Sequence, residues 1–300
     1  MMEYVELHRE QPTNLTTMVV GFGGWIDAGE AATGSIRYMA RRLSAVRLAS
    51  IDPEPFFSFT EVRPSVRRTA DGNRIIRWPR SDFHMWQSPE GGDGLLLFRG
   101  MEPNLKWRTY TRTLLDFAQQ CGVKRIVSVG ALLAEIPHTR PPRVSGRTTE
   151  PAWQALLEDW DIFRRPTYQG PTGIATVVLE AATQRDIPHL AFMGQAPHYI
   201  QGGANPAVTR AILFYVSRVL NIELDLSPLE EAMEVFRTRC DQAVADDRAT
   251  QATVQQLEQD YDATASDTTQ PPIDEDVNAD KLVQELEEFL RDEREGRGES

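Results

Sequence analysis

The chain is organised around Arg125-Ile-Val-Ser-Val129 and the loop that follows it, Gly130-Ala-Leu-Leu-Ala-Glu135-Ile-Pro-His138-Thr-Arg140-Pro-Pro142. The apolar run predicts a buried parallel strand that ends at Gly130. The loop then places a carboxylate, an imidazole and a guanidinium within six positions, and its prolines stiffen the backbone around them. Polar groups just beyond a strand's carboxyl end are typical of ligand sites in open α/β sheets. The alternative is a prolyl loop in which Arg140 and Glu135 pair with each other or face water.

Strands and helices alternate on both sides of this stretch. Short apolar runs predict further strands at residues 2–7, 16–22, 46–51, 94–98 and 188–193. Helices are predicted at about residues 27–44, 105–120, 151–160, a stretch that ends near 185, and 205–220. This repeated order of strand, loop and helix is the signature of parallel βαβ units. Residues 1–225 are therefore predicted to form an α/β body with a mostly parallel sheet.

Residues 56–80 differ in pattern and are predicted to be an insertion in this body. Alternating side chains flank Asp71-Gly72, which is a strong signal for a short-loop hairpin, so residues 62–66 and 74–78 are predicted as its two arms. Such a hairpin could extend the edge of the main sheet or project as a lobe. It carries the most basic patch of the chain, which consists of Arg63, Arg67, Arg68, Arg74, Arg77 and Arg80. This patch predicts either an interaction face for an acidic partner, the chain's own tail included, or a solvated face.

Charge is distributed unevenly along the 300 residues. The net charge is −12, but residues 221–300 contain 7 Lys and Arg against 23 Asp and Glu, whereas residues 1–220 contain 25 against 21. A nearly neutral body argues against nucleic acid as a partner, because phosphate binding needs a clustered basic face. No apolar run approaches the ~20 residues of a membrane span, and no secretory signal follows Met1. A cytoplasmic protein without a membrane partner is therefore predicted.

Residues 226–300 are predicted to form an acidic helical hairpin and tail. Ser227-Pro-Leu-Glu230 predicts a capping box, and a heptad-like stripe follows that is broken at Asp247 and Thr250. The apolar members of the stripe are Leu229, Met233, Phe236, Cys240, Ala243, Val254, Leu257 and Tyr261. Residues 263–276 predict a linker, and a last amphipathic helix is predicted from Leu282, Leu286, Phe289 and Leu290. The helical hairpin is expected to pack on its own body or on a neighbouring subunit, with a coiled-coil arm for a foreign partner as the alternative.

Two glycine-containing turns precede predicted helices. Gly21-Phe-Gly-Gly-Trp-Ile-Asp27-Ala-Gly29 lacks the third glycine of the dinucleotide fingerprint, and Asp27 is a natural N-cap or first-turn acid. The amides of this turn could bind an anion, or the turn could simply be tight, with Trp25 packed on the body. Gly170-Pro-Thr-Gly-Ile174 could likewise hold a phosphate or carboxylate, or Thr172 could only cap its helix.

Four polar loops follow four different predicted strands at the same end, so their side chains are expected to converge in one pocket. The candidate pocket residues are Gly23, Trp25, Asp27, Glu102, His138, Arg140, Gly170, Thr172, His198 and Tyr199. An arginine that clamps an anion, beside a histidine or glutamate that moves a proton, would suit phosphorolysis or hydrolysis.

The sequence assigns no catalytic residue, metal or cofactor to this pocket. The serine in Ile126-Val-Ser-Val-Gly130 lacks the first glycine of a nucleophile elbow. His138 and His198 show no local spacing suited to zinc. Cys121 and Cys240 have no metal-ligand or redox spacing, so both are predicted to be reduced thiols.

Five groups of motifs occur in order along the chain: Gly21-Phe-Gly-Gly-Trp-Ile-Asp-Ala-Gly-Glu-Ala-Ala32, Glu102-Pro-Asn-Leu-Lys-Trp107, Gly130-Ala-Leu-Leu-Ala134 with Pro137-His-Thr-Arg-Pro141, Gly170-Pro-Thr-Gly-Ile174, and Ala196-Pro-His-Tyr199. Together they resemble the bacterial branch of the proteasome assembly chaperone type 2 family. The resemblance covers nearly all of residues 1–295. That family has no agreed catalytic residues that could be carried over to this chain.

The resemblance implies a three-layer α/β/α sandwich similar to purine nucleoside phosphorylases and related hydrolases. It implies an assembly or protein-interaction factor that forms homo-oligomers, with a trimer as one expected form, and that contacts proteasome-related proteins. Some relatives dock through a C-terminal hydrophobic–Tyr–any tripeptide, but this chain ends Gly298-Glu-Ser300, so that docking mode is not expected.

Members are also labelled as related to ATP-grasp or carboxylate–amine ligases, although no phosphate-loop lysine or metal-binding acidic pair supports that label here. The alternative function is a small-molecule enzyme or binder, of a phosphorylase, hydrolase or ligase-like kind, with its pocket at the strand ends.

Overall fold

A computed structural model describes residues 3–89, 91–165, 168–200 and 202–266 of the chain. Its strands are β1 (Val5–Leu7), β2 (Thr17–Gly23), β3 (Val46–Ile51), β4 (Ser65–Arg68), β5 (Arg74–Arg77), β6 (Ser81–Trp86), β7 (Leu95–Met101), β8 (Arg125–Ala134), β9 (Val144–Thr148) and β10 (His189–Pro197). Its helices are α1 (Ala31–Arg42), α2 (Trp107–Gln120), α3 (Pro151–Asp159), α4 (Ile174–Thr183), α5 (Pro206–Leu220), α6 (Ser227–Ala245) and α7 (Arg248–Ser266).

Eight strands form the main sheet in the order β1-β3-β6-β7-β2-β8-β10-β9. The four neighbours β7, β2, β8 and β10 are parallel, whereas the outer strands β1 and β9 are antiparallel to their partners. Strand β3 points the same way as the central four, because β6 is antiparallel to both β7 and β3. Five of the eight strands therefore run in one direction, which confirms the predicted α/β sheet.

The sheet is covered by helices on both faces. Successive side chains of a strand point to opposite faces, and in β2 the side chains of Met18 and Val20 join one buried cluster while Val19 joins the other. The first cluster includes the inner faces of α2 and α4, and the second includes those of α1, α3 and α5. This arrangement confirms the three-layer α/β/α sandwich.

Helix α1 approaches the sheet very closely at Gly21. A Cβ atom at this position would lie 2.8 Å from the carbonyl oxygen of Ala32 and 2.9 Å from Cγ1 of Ile36. Both distances are shorter than van der Waals contact, so glycine is required for α1 to lie this near β2.

Strands β8 and β10 are longer than the sequence predicted. The predicted end at Gly130 is wrong, because β8 continues to Ala134 and β10 continues past Met193 to Pro197. Gly130 stays within the strand because β10 remains paired beside it, with Met193 as its partner. A Cβ on Gly130 would lie 3.0 Å from Cε of Met193, so the glycine makes room for that side chain rather than ending the strand. The polar loops after β8 and β10 consequently begin farther out than expected.

The predicted hairpin forms a separate two-stranded sheet of β4 and β5, so it projects rather than extending the main sheet. Its first arm begins at Ser65, three residues later than predicted, and all residues of both strands are exposed. Because the hairpin connects the carboxyl end of β3 to the start of β6, it emerges from the edge at which the central strands end.

Helices α6 and α7 form the predicted helical hairpin. The break expected at Asp247 is the turn between them, where the Asp247 carboxylate accepts hydrogen bonds from the backbone amides of Ala249 and Thr250. The capping box is wrong, because Asp225 accepts the amide hydrogen bond of Ser227 at 3.0 Å and Glu230 pairs with an arginine of α5 instead.

Helix α7 extends to Ser266, which takes it into the predicted linker. The remainder of that linker and the predicted helix at Leu282–Leu290 lie outside the described residues. The division of the chain at residue 225 stays a prediction. In the part of the chain that is described, no helix combines the length and apolar character needed to cross a membrane.

Candidate functional site

The loops that were predicted to converge do leave the sheet at one edge. Strands β7, β2, β8 and β10 are parallel neighbours, so the segments that follow Met101, Gly23, Ala134 and Pro197 begin on the same side of the molecule. Gly23 is level with Met101 of β7. Strand β8 extends about three residues beyond this level, which is ~10 Å at ~3.3 Å per residue. The candidate residues consequently fall into an inner group and an outer group.

The inner group is built around Glu102. Its backbone amide donates to the carbonyl of Gly23 at 2.8 Å, and its Oε2 accepts from the amide of Ile174, the first residue of α4, at 2.9 Å. A carboxylate at a helix start satisfies an otherwise unpaired amide and is favoured by the helix dipole. The N-cap position itself is held by Gly173, which makes no side-chain hydrogen bond. The helix start that was predicted to hold a ligand's anion therefore holds the carboxylate of Glu102.

Gly170 and Thr172 lie on the exposed approach to this helix start. The backbone near them is held by Tyr168, whose hydroxyl donates to the carbonyl of Pro171 at 2.9 Å. Trp25, in the turn after β2, is 51% exposed. The simpler interpretation of this turn expected Trp25 to be packed on the body, whereas half of the residue is exposed.

The carboxylate of Asp27 accepts hydrogen bonds at the start of α1. It thereby takes the place of the anion that the backbone amides of this turn could have bound. Its Oδ1 accepts from the backbone amide of Thr33 at 3.0 Å, and its Oδ2 accepts from the Thr33 hydroxyl at 2.6 Å. Burial raises the pKa of this carboxyl, while the hydrogen bonds from Thr33 act in the opposite direction. Asp27 thus caps α1 across an intervening 3₁₀ turn, Ala28–Glu30, that the sequence did not predict.

The outer group begins with His138, whose side chain is only 2% exposed. Its Nδ1 lies 2.6 Å from the hydroxyl of Tyr199, and its Nε2 lies 3.0 Å from Oδ1 of Asp241 in α6. The Tyr199 hydroxyl also accepts from the His138 amide at 2.7 Å. All these bonds are satisfied when the hydroxyl donates to Nδ1 and Nε2–H donates to the carboxylate. Burial raises the pKa of Tyr199 to about 12.

Arg140 clamps carboxylates of α7. Its guanidinium meets Asp262 with two bonds, from Nε at 2.8 Å and from Nη2 at 2.7 Å, and its Nη1 lies 3.2 Å from Oε1 of Glu258. The neighbouring Thr139 hydroxyl donates to the same Glu258 oxygen. The guanidinium holds the pKa of the Asp262 carboxyl below its usual value. A paired fork of this kind is the strong form of carboxylate recognition, and the anion that it recognises belongs to the chain itself.

Tyr261 adds further contacts between α7 and the loop after β8. The Tyr261 hydroxyl donates to the carbonyl of Pro141 at 2.9 Å, and the Arg143 guanidinium lies 4.2 Å from the centre of the Tyr261 ring. His198 is exposed, and its amide donates to the carbonyl of Ala134 at 3.1 Å. The structure therefore brings His138, Arg140 and Tyr199 together under α6 and α7, whereas His198 remains on the surface.

Sequence reasoning missed the three carboxylates that bind the outer group, Asp241, Glu258 and Asp262. Each lies more than 100 positions from its partner, and each is one of many acids in an acidic segment. No local pattern distinguishes them. Among the described residues, no group of three or more His, Cys, Asp or Glu side chains is arranged to hold a metal ion.

Comparison with known proteins fits this architecture. The sequence profile of the PAC2 family matches residues 21–244. The chain belongs to the PAC2 family. The matched range covers the end of β2, the strands from β3 to β10, the helices that flank the sheet and nearly all of α6, so docking of α6 onto His138 occurs within the PAC2 region.

Several solved structures resemble the chain along most of its length. A PAC2 family protein from Streptomyces avermitilis is 34% identical, with a TM-score of 0.69 over 76% of this chain and 95% of that one. The Mycobacterium tuberculosis proteasome-assembly chaperone homologue is 32% identical, with a TM-score of 0.71 over 80% of this chain and 100% of that one. The archaeal proteasome activator PbaB of Pyrococcus furiosus, at 17% identity and a TM-score of 0.65 over 80% and 97% of the two chains, shares the fold.

A shorter match occurs with an uncharacterized protein of Methanocaldococcus jannaschii. The two sequences are 31% identical over 111 residues, which amount to 36% of this chain. The matched part spans 40% of the length of that relative.

Proposed function

We propose that this PAC2 protein is an assembly factor that binds proteasome-related proteins. The observation that carries the proposal is the match to the M. tuberculosis proteasome-assembly chaperone homologue along the whole length of that protein. The site geometry supports it, because the polar groups on which a small-molecule pocket would depend are bonded to the chain's own carboxylates at Glu102, Glu258 and Asp262. Cytoplasmic localisation and the small-molecule alternative stay predictions.

The projecting hairpin is the surface that we infer to contact the partner. Val66 and Ile76 face each other across the β4–β5 pair and therefore share one face of the hairpin, and they are 53% and 59% exposed. Arg68 and Arg74 form the next pair on that same face, toward the turn. Exposed apolar side chains beside arginines are typical of the centre of a protein interface.

The function is tested by reconstitution with purified proteasome α and β subunits from the same organism. Native mass spectrometry would follow the appearance of assembly intermediates and of complete particles, with and without the full chain. We expect a complex between the chain and the subunits and faster formation of complete particles. No complex and an unchanged rate of assembly would contradict the proposal. The same spectra test whether the chain alone forms a homo-oligomer, a trimer included.

Two neighbouring isoleucines test the contact surface. Ile76 lies on the face shared with Val66, whereas Ile75 pairs with Arg67 on the opposite face and is 40% exposed. We expect Ile76→Asp to abolish the complex with the subunits and Ile75→Asp to leave most of it. Equal losses from the two variants would exclude this face as the contact surface.

A further inference from the structure

A groove of about 470 Å³ lies between α1, the start of α5 and the N-terminal half of α6. From α6 it is lined by the apolar side chains of Leu229, Ala232, Val235 and Phe236. Val235 is 54% exposed although it borders an apolar surface. The groove is thus an amphipathic surface with no partner among the described residues.

The charged side chains of the groove all carry positive charge. They are Arg37, Arg41 and Arg239, and no Asp or Glu is among the lining residues. Arg37 lies 3.4 Å from Glu30 at the start of α1. Arg41 and Arg239 have no ion-pair partner within the described ranges. An apolar strip bordered by arginines has the chemistry that recognises an acidic amphipathic helix.

We propose that this groove binds the acidic segment 280–293 of the same chain. Residues 267–300, which lie beyond the described part of the chain, contain 12 Asp and Glu against 4 Lys and Arg. Within 280–293 the apolar residues Leu282, Leu286, Phe289 and Leu290 recur at the spacing of one helical face. This sequence combines apolar residues for the α6 side of the groove with carboxylates for its arginines.

The last described residues place the segment within reach of the groove. Asp241 of α6 and Glu258 of α7 bind adjacent residues of the loop after β8, so the two helices meet at this loop. Ser266 lies eight residues after Glu258, which is ~12 Å along α7. Residues 267–279 can span up to ~40 Å. That span is several times the ~10 Å width of α6.

The basic hairpin is the competing surface for this segment, because it also combines arginines with exposed apolar residues. The groove offers a concave surface, whereas every residue of the two hairpin strands is exposed, so we commit to the groove.

The test uses the full chain with Phe289 replaced by the photo-crosslinking amino acid p-benzoylphenylalanine, which keeps an aromatic ring at this position. Crosslinked peptides would be mapped by mass spectrometry after illumination. We expect crosslinks to the groove, at residues 34–41 or 229–239. A mixture with ¹⁵N-labelled chain should give no crosslinks between labelled and unlabelled copies, since the segment binds its own chain.

Charge reversal tests the role of the arginines. We expect Arg41→Glu combined with Arg239→Glu to reduce the groove crosslinks by about tenfold, since two attractions become repulsions. Arg108→Glu combined with Arg112→Glu is the matched control, because both arginines are exposed on α2 on the opposite face of the sheet. Leu286→Asp changes the segment alone and should reduce the crosslinks as strongly without affecting the folded body.

Three outcomes would overturn the proposal. These are crosslinks that map mainly to the hairpin at residues 62–80, crosslinks that join different copies, and an absence of crosslinks to the groove. A control pair that reduces crosslinking as much as the groove pair would also overturn it, because the effect would then reflect net charge alone. None of these outcomes bears on the assembly of proteasome subunits, so this proposal and the proposed function can fail separately.

Discussion

Individual carboxylates occupy the positions that a ligand's anion was predicted to fill. Glu102 binds the first amide of α4, Asp27 binds the third residue of α1, and Asp262 fills the fork of Arg140. Helix N-termini and arginine forks favour any carboxylate, whether it comes from a ligand or from the chain. The residue types at this edge were therefore informative about charge complementarity but could not tell which carboxylate provides it.

Glu102 is the residue that tests this explanation most simply. Glu102→Ala leaves the Ile174 amide at the start of α4 without its acceptor, so we expect the free energy of unfolding to fall by about 1 kcal/mol. Urea unfolding of the full chain, followed by circular dichroism, measures the change.

Glu150 provides the matched control for Glu102. It occupies the N-cap position of α3, but its side chain makes no capping hydrogen bond. Glu150→Ala should therefore change the free energy of unfolding by less than about 0.5 kcal/mol. A Glu102→Ala variant that is as stable as this control would show that the Glu102–Ile174 bond contributes nothing.

Among the elements, α1 packs very closely against β2 at Gly21. We expect Gly21→Ala to lower the free energy of unfolding by about 1–3 kcal/mol, because the added methyl group meets the backbone carbonyl of Ala32. In α1 itself, a Cβ on Gly34 would lie 3.3 Å from its nearest neighbour, the Thr209 hydroxyl. Gly34→Ala should consequently stay within about 1 kcal/mol of the natural chain. Thermal and urea unfolding measure the loss of stability in Gly21→Ala and in Gly34→Ala. Equal losses in the two variants would contradict the close-contact explanation.

The sequence predicted most elements of the fold, but it predicted neither β6 nor β9 and not the full lengths of β8 and β10. Apolar runs and helical spacing located the central strands and the helices that cover them. Gly130 was interpreted as a strand end because glycine weakens strands locally, whereas in the structure the pairing with β10 determines the length. Similarly, Ser227 matched a local capping pattern, but Asp225 accepts its amide instead. Strand pairing and competition between neighbouring caps are not visible in a local pattern.

Docking of α7 should depend on pH through Asp262, whose pKa Arg140 lowers. A carboxyl with a lowered folded-state pKa adds stability above its unfolded pKa of about 3.9. This stability is lost as the pH falls through the folded-state pKa. We therefore expect Asp262→Asn to lower the urea midpoint at about pH 6, and the difference from the natural chain to shrink as the pH is lowered toward about 2.

A double-mutant cycle isolates the partner that causes this pH dependence. In an Arg140→Ala background, the pH-dependent effect of Asp262→Asn on the urea midpoint should be much smaller, since the guanidinium that lowers the pKa is gone. An undiminished pH dependence in this background would assign the lowered pKa to another group.

On the scale of the whole molecule, the strand-end loops join the α/β body to the C-terminal helices. His138, which is bonded to Tyr199, meets α6, and Arg140 meets α7, at the edge where a pocket was predicted. The prediction that several loops meet at one edge followed from strand direction, which the sequence pattern shows. That α6 and α7 cover this edge depends on contacts between residues about 100 to 120 positions apart, which no local pattern encodes.

Hydrogen–deuterium exchange of α7 in an Arg140→Ala variant of the full chain tests this account most directly. Arg237→Ala is the control, because Arg237 makes its 2.6 Å ion pair within α6, to Glu234. We expect the amides of residues 251–262 to exchange several-fold faster in Arg140→Ala than in Arg237→Ala, while β2, β8 and β10 stay equally protected. Exchange of α7 that is the same in both variants would contradict the claim that this edge of the sheet anchors the C-terminal helices.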